Sequence, residues 1–240
     1  MRETSRKVTW FIAAALTIFA AYVQVQLAAA TTLTNAIEQE VAQRTNAYRI
    51  RQGIAALSQN EQLHNAARSF AEFMARTGEY GHRIDGKTPS QRVKEAEYQP
   101  CTVRENIGFL ELGSRSSPEN VAARLMAGWI ASPGHRKNLD AKDITQFGIG
   151  VARISRTAPI GQRERFYAVQ LMASPREQAY RFSVRNSQQQ IVKYTVDGKS
   201  FDLPPNTTHT HLQCTPPLIE TTSDGQLHTY NPKSGEMIEF

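Results

Sequence analysis

The spacing of apolar residues changes once along this chain of 240 residues, and that change restricts the fold more than any other feature. Up to about residue 130, apolar residues recur every three or four positions, which is the period of a helix with one buried face. From residue 147 they occur in short runs typical of strands. Helices followed by paired strands are typical of an α+β domain built in layers, so we expect that fold class.

The first two helices are predicted from apolar periodicity and from their ends. The first covers residues 34–52, where apolar positions follow helical spacing and Gly53 can end the helix. The second begins with a capping-box pattern, in which Ser58 is followed three residues later by Glu61, and Gly78 stands where a C-terminal glycine belongs. Each helix therefore has one apolar face to bury.

Proline in the first turn opens two further helices, one after Thr88 and one after Ser117. The pair Ser132 and Pro133 ends the fourth helix, because a residue that precedes proline avoids helical backbone angles. His135 follows in the segment SPGHRKN. We interpret this segment as a turn that exposes the histidine.

Two strands complete the main domain, at residues 147–154 (FGIGVARI) and 166–172 (FYAVQLM). A polar linker with proline and glycine joins them, so we predict an antiparallel hairpin. The predicted domain covers residues 34–175.

The first thirty residues have the layout of a secretory signal peptide. Arg2, Arg6 and Lys7 form a basic start, an apolar run covers residues 8–23, and residues 28–30 are an Ala-x-Ala cleavage site. We expect cleavage there and a secreted or periplasmic protein without a stable transmembrane anchor. The alternative is an uncleaved anchor, although the run is shorter than the roughly 20 residues of a stable span.

The net charge and the expected export restrict the kinds of partner that this chain could bind. The formal net charge is +6, of which the signal segment holds +2, and the remaining excess is scattered along the chain. Such a balance is typical of a soluble basic surface, with weak attraction to anionic envelopes as the alternative. Export also argues against a nucleic acid as the partner.

The last part of the chain, residues 178–240, is predicted to be a small β-rich module. Three segments alternate as strands do, at residues 180–184, 191–196 and 207–212. A module of this size has a thin core, so a covalent link to the main domain would help it.

Cys101 and Cys214 are the two cysteines of the sequence. An even count in an exported chain favours one disulfide, which would join the module to the main domain. The alternative is two unpaired thiols.

His82, Glu105 and His135 are the candidate site residues. Imidazole and carboxylate groups suit zinc or another divalent cation, and a catalytic zinc site typically has three protein ligands and a water. The three residues are far apart in sequence and form no His-x-x-x-His pair. The alternative is that each is a surface or hydrogen-bonded residue.

Five ordered blocks of the sequence resemble the CAP superfamily, which comprises cysteine-rich secretory proteins, antigen 5 and pathogenesis-related 1 proteins. The family's unit is also called the SCP domain, and the order and spacing match its bacterial branch over residues 35–175. The blocks are GH at 81–82, ENIG at 105–108, WIASPGHRKNL at 129–139, FGIGVA at 147–152 and YAVQL at 167–171.

The resemblance implies an α-β-α sandwich with a central cleft. His82 and Glu105 match the family's first cleft histidine and glutamate. Where the eukaryotic branch has a second glutamate and a second histidine, this chain has Ser132 and Tyr167, so only half of the four-ligand cleft is present. His135 could compensate in part if its ring faces the cleft. The alternative is that His135 and its neighbours interact with the end of the preceding helix.

Further candidates have simpler explanations. Ser132, His135 and Glu105 supply the residue types of a Ser-His-acid set, but Ser-Pro-Gly is more typical of a turn. His209 and His211 share a strand face and could bind a metal, although no third ligand lies near them in sequence.

We therefore predict an exported binding or envelope-associated module. The predicted cleft, with His82, Glu105, His135, Tyr167 and Ser132, would take a divalent cation, a small polar molecule, a lipid or a cell-envelope ligand. The alternative is a metal-assisted, peptidase-like hydrolase that uses the same cleft, with Glu105 as general base beside His135. Catalysis is not a general property of the resembled family, and the loss of two ligands favours binding.

Overall fold

The structure is a computed structural model that describes residues 32–113, 115–158, 161–223 and 225–240. The predicted signal peptide, residues 1–30, lies outside the described residues and stays a prediction. Among the described helices, none has the length and apolar character needed to cross a membrane.

The main domain contains five described helices and four strands. The helices are α1 (32–51), α2 (Glu61–Thr77), α3 (Pro89–Glu95), α4 (Pro118–Ala131) and α5 (Pro133–Leu139). The strands are β1 (Ser58–Gln59), β2 (Pro100–Gly113), β3 (Gln146–Ala158) and β4 (Gly161–Pro175).

The four strands form one sheet in the order β1-β3-β4-β2, with helices on both faces. Neighbouring residues of β4 point to opposite faces. Phe166 and Ala168 pack in a core with α1 and α4, whereas Tyr167 and Val169 pack in a core with α2 and α3. The α-β-α sandwich is therefore confirmed, and the predicted β3–β4 hairpin is antiparallel as expected.

Glycines of the FGIGVA block let α2 lie directly on β3. A Cβ atom at Gly148 would come within 2.1 Å of the backbone nitrogen of His64, and one at Gly150 within 2.1 Å of that of Arg68. Both distances are far below van der Waals contact, so any side chain at these positions would push the helix off the sheet. The block is thus explained by helix packing.

The start of α2 corrects one prediction. Its N-cap is Asn60, whose side chain accepts a hydrogen bond from the backbone N–H of Leu63. Ser58 lies in β1, where its N–H donates to the carbonyl of Thr145 at 3.0 Å. The predicted Ser58–Glu61 capping box is wrong because Ser58 belongs to β1, which pairs with β3.

The segment SPGHRKN corrects a second prediction, since it is not a turn. Pro133 opens α5, and the N–H of Arg136 donates to the carbonyl of Ser132 at 2.8 Å. Ser132 thus ends α4 and immediately precedes α5. A Ser-Pro pair both stops one helix and starts the next, because proline is favoured in a first turn.

The long strand β2 was not predicted at all. It pairs antiparallel with β4 along its whole length. Arg104, Glu105 and Asn106 interrupt its apolar pattern, and two of these polar residues, Glu105 and Asn106, are buried. A strand that carries buried polar groups does not show the usual alternation.

The C-terminal module consists of two small sheets, which fits the predicted all-β region. Its strands are β5 (Tyr180–Arg185), β6 (Val192–Val196), β7 (Lys199–Leu203), β8 (Thr208–Gln213), β9 (Ile219–Ser223), β10 (Gln226–Tyr230) and β11 (Met237–Glu239). The sheet orders are β10-β9-β6-β7 and β11-β5-β8. Phe182, Tyr194 and Ile219 belong to the apolar core that the strands share.

The predicted disulfide between Cys101 and Cys214 is present, with 5.2 Å between the two Cα atoms. Cys101 lies at the start of β2, and Cys214 directly follows β8. The bond therefore ties the β-rich module to the strand that carries Glu105, four residues further on.

Candidate functional site

Glu105 is the centre of the candidate site, which we define as His82, Arg92, Glu105 and His135. The Glu105 side chain is 2% exposed and projects from β2, one of the two edge strands of the main sheet. Its Oε1 lies 2.7 Å from Nδ1 of His82, and its Oε2 accepts a hydrogen bond of 2.6 Å from Nη2 of Arg92. Both carboxylate oxygens are therefore engaged.

Arg92, which the sequence analysis did not single out, holds this carboxylate in place. The guanidinium lies over the ring of Phe70 at 3.6 Å, and its Nη1 forms an ion pair with Asp85 at 2.9 Å. Nη2 also donates to the carbonyl of His82 at 3.1 Å. One buried cation thus fixes Glu105 and the loop that carries His82.

His82 is held by Glu105 through one ring nitrogen and has a half-exposed side chain. An ionised carboxylate can only accept hydrogen bonds, so Nδ1 of His82 carries the proton in its contact with Glu105. Nε2 is then left for a ligand, on a side chain that is 49% exposed. A carboxylate that orients an imidazole in this way fixes which nitrogen is available.

His135 approaches the same place from the other face of the sheet. Its ring centroid is 6.4 Å from that of His82, with 53° between the ring planes. His82 belongs to the loop before α3, whereas His135 belongs to α5, so the two rings meet beside the edge of β2. Burial lowers the pKa of His135, and the nearby charge of His82 lowers it further.

A chain of side-chain amides places α5 against β2. Nδ2 of Asn138 donates to the carbonyl of Glu105 at 3.0 Å and to Oδ1 of Asn106 at 2.9 Å. Asn106 donates in turn to Oε1 of Gln170 at 2.9 Å, and Gln170 donates to the hydroxyl of Thr45 at 2.8 Å. This network explains why asparagine occurs at position 106 of the ENIG block and at position 138 of the WIASPGHRKNL block.

Tyr167 is buried and has little access to the surface. The residue is 1% exposed and packs against Phe109, with 5.1 Å between ring centroids. Tyr167 and Gln170 lie on opposite faces of β4, as residues three positions apart on a strand do. The surface here is formed by Phe109 and Tyr80, whose rings are 6.1 Å apart and whose exposures are 40% and 48%. We call these two residues the aromatic pair.

Ser132 does not make the contacts of a nucleophile. It occupies the junction of α4 and α5, is half-buried, and within the described part of the chain its side chain makes no capping hydrogen bond to α5. The Ser-His-acid set therefore has no hydrogen-bond geometry to support it.

The residues present do not fit a zinc centre. Across the described ranges, no three side chains of the types His, Cys, Asp and Glu are grouped so that they could hold a metal ion. Glu105 directs its oxygens at His82 and at the Arg92 cation, which opposes a second positive charge. The predicted set of His82, Glu105 and His135 comes together in space, but not as three available ligands.

Comparison with known proteins adds a family match. Residues 42–172 match the family model described as the CAP cysteine-rich secretory protein family. The uncharacterized protein YkwD of Bacillus subtilis (strain 168) is 30% identical over 117 residues, which cover 48% of this chain and 42% of that protein. The uncharacterized membrane protein YlbC of the same strain is 28% identical over 118 residues, which cover 48% of this chain and 32% of that one. The matched part is thus less than half of each relative.

Two solved structures are also similar. An extracellular protein from Bacillus anthracis that contains an SCP domain aligns with 23% identity and a TM-score of 0.47, covering 60% of this chain and 43% of that one. An outer surface protein from Borrelia burgdorferi aligns with 18% identity and a TM-score of 0.46, covering 59% of this chain and 95% of that one.

Proposed function

This chain belongs to the CAP, or cysteine-rich secretory protein, family, and on that premise we propose that it is an extracytoplasmic binding module whose candidate site takes a small amphipathic molecule. The polar end of the ligand would lie between His82 and His135, and its apolar part would lie on the aromatic pair. Placement outside the cytoplasm is supported by the signal-like first thirty residues and by the disulfide.

One observation carries this proposal: a buried carboxylate, fixed by a buried arginine, orients an imidazole ring whose centroid lies 6.4 Å from that of a second imidazole. Burying the Glu105–Arg92 pair costs desolvation energy and is weak evidence of a purely stabilising role. A functional role for the pair is to hold the His82 ring in one orientation. Nε2 of His82 would accept from a ligand hydroxyl when neutral and donate to a ligand oxygen when protonated.

The apolar half of the ligand follows from the aromatic pair. Tyr80 is two residues before His82 in the chain, and Phe109 lies on the same face of β2 as Glu105, about 13 Å further along the strand. An elongated ligand would therefore be needed to reach both the polar groups and the exposed rings. Exposed aromatic rings beside a few fixed polar groups are typical of small-molecule sites. A divalent cation, the other ligand that the sequence suggested, has less support because the positive charge of Arg92 occupies one side of Glu105.

A second candidate function is hydrolysis without a metal, because a carboxylate–imidazole pair is also how a general base is oriented. In this version Nε2 of His82 would take a proton from water, and the hydroxide would attack an ester or amide carbonyl. Glu105 would orient His82 and would not be the base itself, since both of its oxygens are engaged. Binding is the preferred function because the exposed rings of the aromatic pair suit the apolar part of a ligand.

The test uses dansylundecanoic acid, which has a carboxylate head, an apolar chain and a fluorescent group. We expect the purified chain to bind it, and His82→Gln with His135→Gln to weaken binding about tenfold or more, because a lost hydrogen bond to a charged group costs about 1.5 kcal/mol. Phe109→Ala should also weaken binding. His228→Gln, an exposed histidine of the C-terminal module, is the matched control. Equal affinity in all four proteins would refute the proposed site.

The same variants decide the alternative. Hydrolysis of p-nitrophenyl esters that disappears in both His82→Gln and Glu105→Gln would favour the hydrolase over the binding module. Hydrolysis that survives these changes would not come from this site.

A further inference from the structure

A second cluster of potential metal ligands lies in the C-terminal module, away from the candidate site. His209 and His211 are separated by one residue on β8, so both imidazoles project from the same face of the strand. That face points between the two small sheets, where His211 stacks on Phe182 of β5 at 5.2 Å. From sequence, this pair lacked a third ligand.

The opposite sheet supplies the third donor. Tyr194 of β6 is 2% exposed, and its hydroxyl lies 3.1 Å from Nδ1 of His209 and 2.7 Å from Nε2 of His211. The Tyr194 hydroxyl therefore lies within hydrogen-bond distance of one ring nitrogen of each histidine. Two ligand atoms that each lie about 2.0 Å from an ion, at right angles to one another, are about 2.8 Å apart. The distances from the Tyr194 hydroxyl to the two histidine nitrogens are close to that value.

The surroundings resemble those of a metal site more than those of an exposed polar strand. Phe182 and Phe201 contact the His211 ring, the latter at 4.8 Å between centroids. An apolar shell around a few donors restricts water and strengthens coordination.

The cluster also has access to solvent and a nearby cation. β8 and β7 are edge strands of their sheets, so the cluster lies at an open side of the module. Lys199 of β7 lies over the ring of Phe201, with its Nζ 5.4 Å from the ring centroid, and Phe201 contacts His211, so the positive charge of Lys199 opposes a metal ion there. Removing that charge should therefore raise metal affinity.

We propose that His209, His211 and Tyr194 form a binding site for a divalent first-row transition-metal ion, with water completing the coordination. Imidazole nitrogens suit copper, nickel and zinc, and affinity in such sites generally peaks at Cu²⁺. Coordination displaces the phenol proton of Tyr194 to solvent and leaves a metal–phenolate bond. The site is independent of the function proposed for the main domain.

The test is titration of the full chain with Cu²⁺, followed by visible absorption and by calorimetry. We expect one equivalent to bind with a phenolate-to-copper charge-transfer band, and Zn²⁺ to bind more weakly. Tyr194→Phe keeps the ring and its contact with Phe201, so this variant should remain folded, lose the band and bind at least about tenfold more weakly. His211→Gln should abolish the site, and Lys199→Gln should strengthen it.

The matched control removes His82 and His135 instead, which should leave the band unchanged. The proposal is overturned if Cu²⁺ does not bind, if the band survives in Tyr194→Phe, or if binding is lost in the His82→Gln/His135→Gln protein and kept in His211→Gln. Circular dichroism of each variant separates loss of the site from loss of the fold.

Discussion

Arg92→Met tests the buried ion pair on which the candidate site depends. Methionine keeps a long apolar side chain over Phe70 and removes the charge that faces Glu105. The two side chains are 5% and 2% exposed, so solvent can hardly screen the carboxylate that is left behind. Removing one partner of a buried pair typically costs about 3–5 kcal/mol in the free energy of unfolding, and we expect a loss in that range.

The assay is urea unfolding at pH 7, followed by the fluorescence of Trp129, which is 2% exposed. Arg92→Met/Glu105→Gln should lose less than the two single changes added together, because the double variant does not leave Glu105 as an unpaired charge, while the loss of the Asp85 contact is common to both Arg92 variants. Arg44→Met removes an arginine from a partly exposed pair with Glu40 and should cost about 1 kcal/mol or less. A loss below about 1 kcal/mol for Arg92→Met, or strictly additive effects in the double variant, would refute the reasoning.

Three further predictions concern the fold and the site. Replacing Cys101 and Cys214 by alanine should lower the free energy of unfolding by up to about 5 kcal/mol in the chain-entropy model, and denaturation with and without a reductant measures it; no change would contradict the account. Gly148→Ala should cost about 1–3 kcal/mol or more, because its Cβ would lie 2.1 Å from a backbone nitrogen of α2, and an unchanged melting temperature would argue against that packing. The pKa of His135, followed by NMR, should lie below 6.5 and should rise towards 6.5 in His82→Gln. Because the His135 imidazole binds its second proton more tightly in the unfolded chain, its contribution to the free energy of unfolding is complete above pH 6.5 and is lost as the pH falls below that value.

The layered fold could be predicted because its signals are local. Helix periodicity, the cap residues Thr88 and Ser117, and the glycine at position 78 lie within the elements that they define. Ser58 was misassigned because its partner, the carbonyl of Thr145, is 87 residues away in sequence. A local sequence pattern cannot reveal that Ser58 pairs with a distant strand and does not cap the nearby helix.

The candidate site was predictable in part. His82, Glu105 and His135 come together as the family resemblance suggested, although His135 reaches the site from a helix and not from a turn. The sequence did not predict a role for Arg92, because a single arginine in a short amphipathic helix is normally a surface residue. Its role depends on burial over Phe70 and on contact with Glu105, and both are set by tertiary packing.

The most direct test of the proposed ligand site is a titration of the chain, labelled with ¹⁵N in its histidine rings, with dansylundecanoic acid. The account predicts that the ring signals of His82 and His135 shift together and saturate at the concentration at which fluorescence saturates, while those of His209, His211 and His228 stay in place. Saturable binding that leaves His82 and His135 unshifted would contradict it.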